Sequence, residues 1–194
     1  MTGIFNTALI GLFALSGATG TISLATPTAT APIEPSYRSY TVAMTGYNAV
    51  AAQTDGDPHI TASGAYSNPD IIAARSQDLA DELPFGTVIQ VTAASSSPNC
   101  GYGLVDKQVG LRVIGDSMHS RMRNKVDILF DMQDTVRAGG KETNPAIALG
   151  VCKRVQIRVV GKIDMKNIPG TQTGLRLAVG MLPIATQQPL AVYK

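Results

Sequence analysis

The chain has 194 residues and a net charge of +2, with 44% hydrophobic residues, 15% charged residues and no tryptophan. Such a balance is too apolar for a disordered chain and suits one globular domain with an extension. No basic tract is interleaved with aromatic residues, so a nucleic-acid partner is not expected.

Between Met1 and Ile33 there is no charged side chain. Ala8-Leu-Ile-Gly-Leu-Phe-Ala-Leu15 forms an apolar block, and small residues follow it from Ser16 to Gly20. The block is shorter than the roughly 20 apolar residues a membrane span needs. It matches the hydrophobic part of a secretory signal, with Ser23-Leu-Ala25 as a small-residue cleavage site. The basic start of such signals is missing, because the first basic residue is Arg38. A membrane tether through residues 4–20 and a buried N-terminal helix are the other readings. Residues 1–25 are therefore expected to be a signal or anchor, and the chain to be exported to an extracellular or periplasmic location. Residues 26–36 are rich in Thr, Ala and Pro and read as a linker.

The folded domain is expected over residues 37–164. Strand signals, short and β-branched, recur at Tyr40–Gly46, Gly86–Thr92, Gly110–Ile114, Lys125–Phe130 and Arg154–Val160. The last of these alternates as a half-buried strand should. Helical signals are brief: Ser76 to Leu83, stopped by Pro84, and a turn or two after Asn144-Pro145. With 19 glycines and 11 prolines to make tight connections, the expected fold class is all-β, a small barrel with one or two short helices. Residues 165–194 are expected to pack on it as an edge strand or a peripheral wrap.

Cys100 and Cys152 lie about fifty residues apart, and in an exported protein one disulfide between them is the natural expectation. Two separate buried thiols are the alternative. No Cys-x-x-Cys pair exists, and His59 and His119 stand alone, so neither a metal nor another cofactor is expected. Gly101-Tyr-Gly103 reads as a turn and Asp55-Gly-Asp57 as a surface turn.

Val113 to Phe130 is the stretch where chemistry is to be sought. An apolar run ends at Asp116, a polar and basic loop follows, and apolar residues resume around Asp127. Removing an ionised carboxylate from water is costly unless it is paired or hydrogen-bonded, or its pKa moves. Two acids in this setting mark either a site or a hydrogen-bond network that pins a loop.

The order of these features resembles the Asp-Asp-Asp domain, a double-psi β-barrel of exported cell-wall proteins. That domain forms the barrel of membrane-bound lytic transglycosylase A and is related to rare lipoprotein A. The matching pieces are Val42-Ala-Met-Thr-Gly-Tyr47, Ile60-Thr-Ala-Ser-Gly64, Ile71-Ile-Ala-Ala74, Leu83-Pro-Phe-Gly-Thr87, Val113-Ile-Gly-Asp116, Val126-Asp-Ile128 and Ala148-Leu-Gly150. The family's last two aspartates fall on Asp116 and Asp127, eleven residues apart. Arg75 stands where its first aspartate is expected. Ser117-Met-His-Ser-Arg-Met-Arg123 replaces the transglycosylase loop, and Asp116, Met118 and Arg121 match an Asp-x-Met-x-x-Arg subgroup.

The resemblance implies a six-stranded double-psi barrel and non-hydrolytic cleavage of peptidoglycan or another cell-wall glycan. Asp116 is then expected as acid/base and Asp127 as a neighbouring like charge. Thr61, Ser63, Tyr47, Arg75 and Arg121 are expected to bind substrate, and the protein to be a monomer. The competing reading is a glycan- or protein-binding barrel without turnover, in which Asp127 pairs with Arg75 or Arg121. A serine hydrolase is disfavoured, because no Gly-x-Ser-x-Gly elbow is present.

Overall fold

The computed structural model describes residues 37–50, 57–94 and 99–181. The expected signal and linker segments and Asp55 lie outside them. Six strands close into a mixed barrel in the order β1-β5-β2-β4-β3-β8. These are β1 (Ser39–Asn48), β2 (Ile72–Arg75), β3 (Thr87–Ala93), β4 (Leu111–Ser117), β5 (Lys125–Phe130) and β8 (Cys152–Lys162). β1 runs parallel to β5 and β2 parallel to β4; the other four pairings are antiparallel. A separate hairpin joins β6 (Val136–Ala138) and β7 (Lys141–Thr143).

Alternation sorts the strand residues into two cores. Val42, Met44, Ala73, Ile89, Ile114, Val126, Ile128, Val155 and Ile157, drawn from all six barrel strands, form the inner cluster. Their neighbours Ile72, Val88, Val113, Leu129 and Val160 belong to a second cluster on the other face, completed by Leu175. The expected alternation in β8 holds: Val155, Ile157 and Val159 pack on the inner cluster, while Val160, of opposite parity, joins the second cluster.

The helical content differs from expectation. Only Gln77–Leu79 of the Ser76–Leu83 segment is helical, as a 3-10 turn. The turn after Asn144 is α2 (Pro145–Leu149), capped by the Asn144 side chain accepting from the Ala146 N–H. Gly101-Tyr-Gly103, read from sequence as a turn, is the start of α1 (Tyr102–Val109). Two glycines masked that helix, which forms because Val105 and Val109, four apart, are both fully buried. Residues 165–181 add no edge strand. They form a 3-10 turn (Met165–Asn167) and α3 (Gln172–Ala178), docked by Leu175 and by the Gln172 amide, which bonds both main-chain groups of Leu111.

Arg112, inside the apolar β4 run, is 1% exposed. Its guanidinium donates to the carbonyls of Gln108, Val109, Pro69, Ile72 and Leu129 and lies 5.7 Å from the Phe130 ring. Burial pulls its pKa down to about 9, so it stays cationic at neutral pH. Two of the carbonyls belong to the last turn of α1, where a cation is favoured.

Cys100 and Cys152 form the expected disulfide. The bond points to an oxidising location. Among the described residues no helix is long and apolar enough to cross a membrane.

Two outcomes are expected from denaturant unfolding. Replacing both cysteines with serine lowers the unfolding free energy by about 4 kcal/mol. Arg112→Met, which leaves five carbonyls without their donor, costs at least about 3 kcal/mol.

Candidate functional site

Asp127 follows Val126 and precedes Ile128, both inner-core residues, so the strand's alternation turns its carboxyl away from the barrel interior. The register then aligns four adjacent strands. Thr45 of β1 pairs with Asp127 of β5, Asp127 with Ala74 of β2, and Ala74 with Asp116 of β4. The two acids thus stand in one transverse row on either side of Ala74, two strand spacings or about 10 Å apart along the backbone.

A cavity of about 450 Å³ lies over this row. Tyr47, Ala74, Asp116 and Asp127 line it together with Asp57, Ile60, Thr61, Ala62 and Ser67 from one loop. Ser117, Met118, His119 and Met122 complete the lining from the loop after β4.

The two carboxyls are held differently. Asp116 Oδ1 accepts from the Ala62 and Ser117 main-chain N–H groups at 2.9 and 2.8 Å, and its Oδ2 accepts from the Tyr47 hydroxyl at 3.0 Å. Three donors aimed at one carboxylate stabilise its charge. The Ala62 bond also fastens the 57–67 loop to β4. Tyr47 is kept a phenol, because burial and the adjacent Asp116 both raise its pKa.

Asp127 accepts one hydrogen bond, at Oδ1, from the Thr45 hydroxyl at 2.8 Å. Its pKa is pushed up to about 6, chiefly by burial. Asp116 adds to the rise, whereas Thr45 and Lys125 oppose it. Thr45 and Tyr47, two apart on β1, therefore each hold one of the two acids. Gly46 between them lets β1 pass close to α2, since a Cβ there would lie 2.8 Å from the Phe130 ring and 2.9 Å from the Ala146 Cα.

Of the residues expected from sequence, Tyr47, Thr61, Asp116 and Asp127 meet in the cavity. Arg75 does not. It is 8% exposed, donates to the Leu83 and Ser76 carbonyls, and lies 5.0 Å from the Phe85 ring. It sits in the buried β2 strand and is absent from the lining of the cavity. Ser63 and Arg121 are absent from the lining, and the hydroxyls of Ser63 and Thr61 bond each other at 2.9 Å. Sequence reading missed Thr45, whose only signal is its place two residues before Tyr47. It also missed the cavity-facing roles of Asp57, Ile60 and Ser67, because loop conformation is not periodic. Among the described residues no three His, Cys, Asp or Glu side chains converge to hold a metal ion.

No protein-family model matches the chain, and no curated protein matches it.

The raised pKa of Asp127 fixes a sign for stability. Its ordinary value is 3.8 and its folded value about 6, so its stabilising contribution is complete below about pH 4 and lost as pH rises through 6. Asp127→Asn is expected to be more stable than the native chain by roughly 2–3 kcal/mol at pH 7.5, with the difference vanishing near pH 4. Urea unfolding at the two pH values measures it.

Proposed function

We propose that the cavity binds a cell-wall glycan strand and that Asp127 cleaves it without water, in the manner of a lytic transglycosylase. The observation that carries this reading is a carboxyl with a pKa of about 6, exposed to a cavity beside a second carboxylate fixed by three donors. A group of that strength keeps a useful fraction of its protons near neutrality and gives them up readily. Supporting it is the resemblance of the ordered motifs to the Asp-Asp-Asp domain. The two parallel strand pairs within a closed six-stranded barrel suit its double-psi topology, and the disulfide suits an exported protein.

In this mechanism protonated Asp127 donates to the glycosidic oxygen, the C1–O bond breaks, and the electron pair leaves with that oxygen. Asp116, held by three donors, stabilises the positive charge developing on the sugar ring. The Asp127 carboxylate then takes the proton of the sugar's own 6-hydroxyl, whose oxygen bonds to C1 and closes an anhydro ring. These roles reverse those expected from sequence, where Asp116 was the acid. The reversal follows from the hydrogen bonds, because both oxygens of Asp116 are already engaged.

A second reading, glycan binding without turnover, is favoured by one observation: Arg75 replaces the family's first aspartate and is buried. Purified protein incubated with murein separates the two. Anhydro-muropeptides detected by mass spectrometry are expected from the native chain, at a rate that falls as pH rises above about 6. Asp127→Asn is expected to lose at least about 100-fold in rate. Saturable binding with no released product supports the second reading instead.

A further inference from the structure

The hydrogen bonds treat the two oxygens of Asp127 differently. Asp116 has a donor on each oxygen, whereas Asp127 has a donor only on Oδ1 among the described residues. Its Oδ2 is not sealed in the protein. Among the described residues the one buried side-chain polar atom without a partner is Arg158 Nε, so Oδ2 reaches the solvent of the cavity. The Thr45 hydroxyl occupies Oδ1 as its donor, which leaves Oδ2 as the oxygen open to exchange a proton with a ligand.

We propose that Thr45 is the positioning residue for Asp127, fixing Oδ1 as a standing acceptor so that the exchangeable proton rides on Oδ2, the oxygen that faces a ligand. Thr45 itself touches no reacting atom. It acts by rotating the carboxyl into one orientation and by stabilising the carboxylate left after proton donation. Its register partner is Asp127 itself, so the strand pairing sets the contact and no loop needs to close. The other groups around Asp127 cannot substitute for it. Lys125 lies on the same strand two residues back and acts only through space. Asp116 stands across Ala74 and repels, Tyr47 is committed to Asp116, and Asp57 and His119 approach from the loops that wall the cavity.

The consequence for the rate rests on the glycan-cleaving reading, but the consequence for the carboxyl does not. The test is a carbon-13 NMR titration of the Asp127 carboxyl in the full chain, run beside the pH profile of murein cleavage. Thr45→Val and Thr45→Ala are each expected to move the Asp127 midpoint upward by about one pH unit. The alkaline limb of the pH profile should move by the same amount, and the maximal rate should fall about tenfold as the proton loses its fixed oxygen. Thr45→Ser, which keeps the donor, should restore both. A purely structural role would lower the melting temperature and leave the midpoint where it was.

An Asp127 midpoint that stays put or falls in both the Val and Ala variants overturns the proposal, whether or not the native chain cleaves murein. Should Val fail to fold, the Ala and Ser pair decides the question alone. If the midpoint rises as expected while no form releases anhydro product at any pH, Thr45 keeps its role and the lytic reading of the cavity fails.

Discussion

A single buried guanidinium ties three parts of this molecule together. Arg112 draws together the end of α1, β2 with the segment entering it, and β5, by donating to five of their carbonyls. A buried cation is tolerable only where such acceptors are complete, and here they come from the main chain, whose position the fold already fixes. The charge also reaches the site. Arg112 opposes the rise in the pKa of Tyr47, whose hydroxyl holds Asp116. The cavity floor is thus connected to the strongest polar cluster of the interior.

The two acids share a surface and differ in what surrounds them. Asp116 is saturated with donors and doubles as the fastener for one cavity wall. Asp127 is left nearly bare, with burial outweighing the single bond from Thr45. Each acid takes one hydrogen bond from β1, whose residues Thr45 and Tyr47 lie on the strand face opposite the core residue Met44. One strand therefore reaches both carboxyls, although neither belongs to it.

Much of the barrel was legible in the sequence because its strands are short, β-branched and bounded by turn residues. Lys125–Phe130 was read with its observed limits, and the Asp116 and Asp127 pair was found from the carboxylates that interrupt apolar runs. What escaped was non-local. Nothing periodic marks Arg112 as a hub, since a lone Arg in an apolar strand looks like an exposed exception until five distant carbonyls are brought to it. Arg75 looked available because the sequence does not show that β2 is buried on both sides. α1 was hidden by Gly101 and Gly103, whose weak helix propensity is overridden by burial of Val105 and Val109. The 57–67 wall has no periodic pattern, and it is placed by the bonds of Ala62 to Asp116 and of Ser63 to the Gly115 carbonyl.

The parity of β5 has an implication for how this protein can change over time. Val126 and Ile128 belong to the core and Asp127 to the cavity, so deleting or inserting one residue within the strand would exchange their surroundings, driving a carboxylate into the barrel and a valine into the cleft. The connecting stretch from Met118 to Asn124 is under no such arithmetic, since it enters neither core cluster. Descendants of this chain can therefore lengthen, shorten or rewrite that wall of the cavity while the strand beneath it keeps its count.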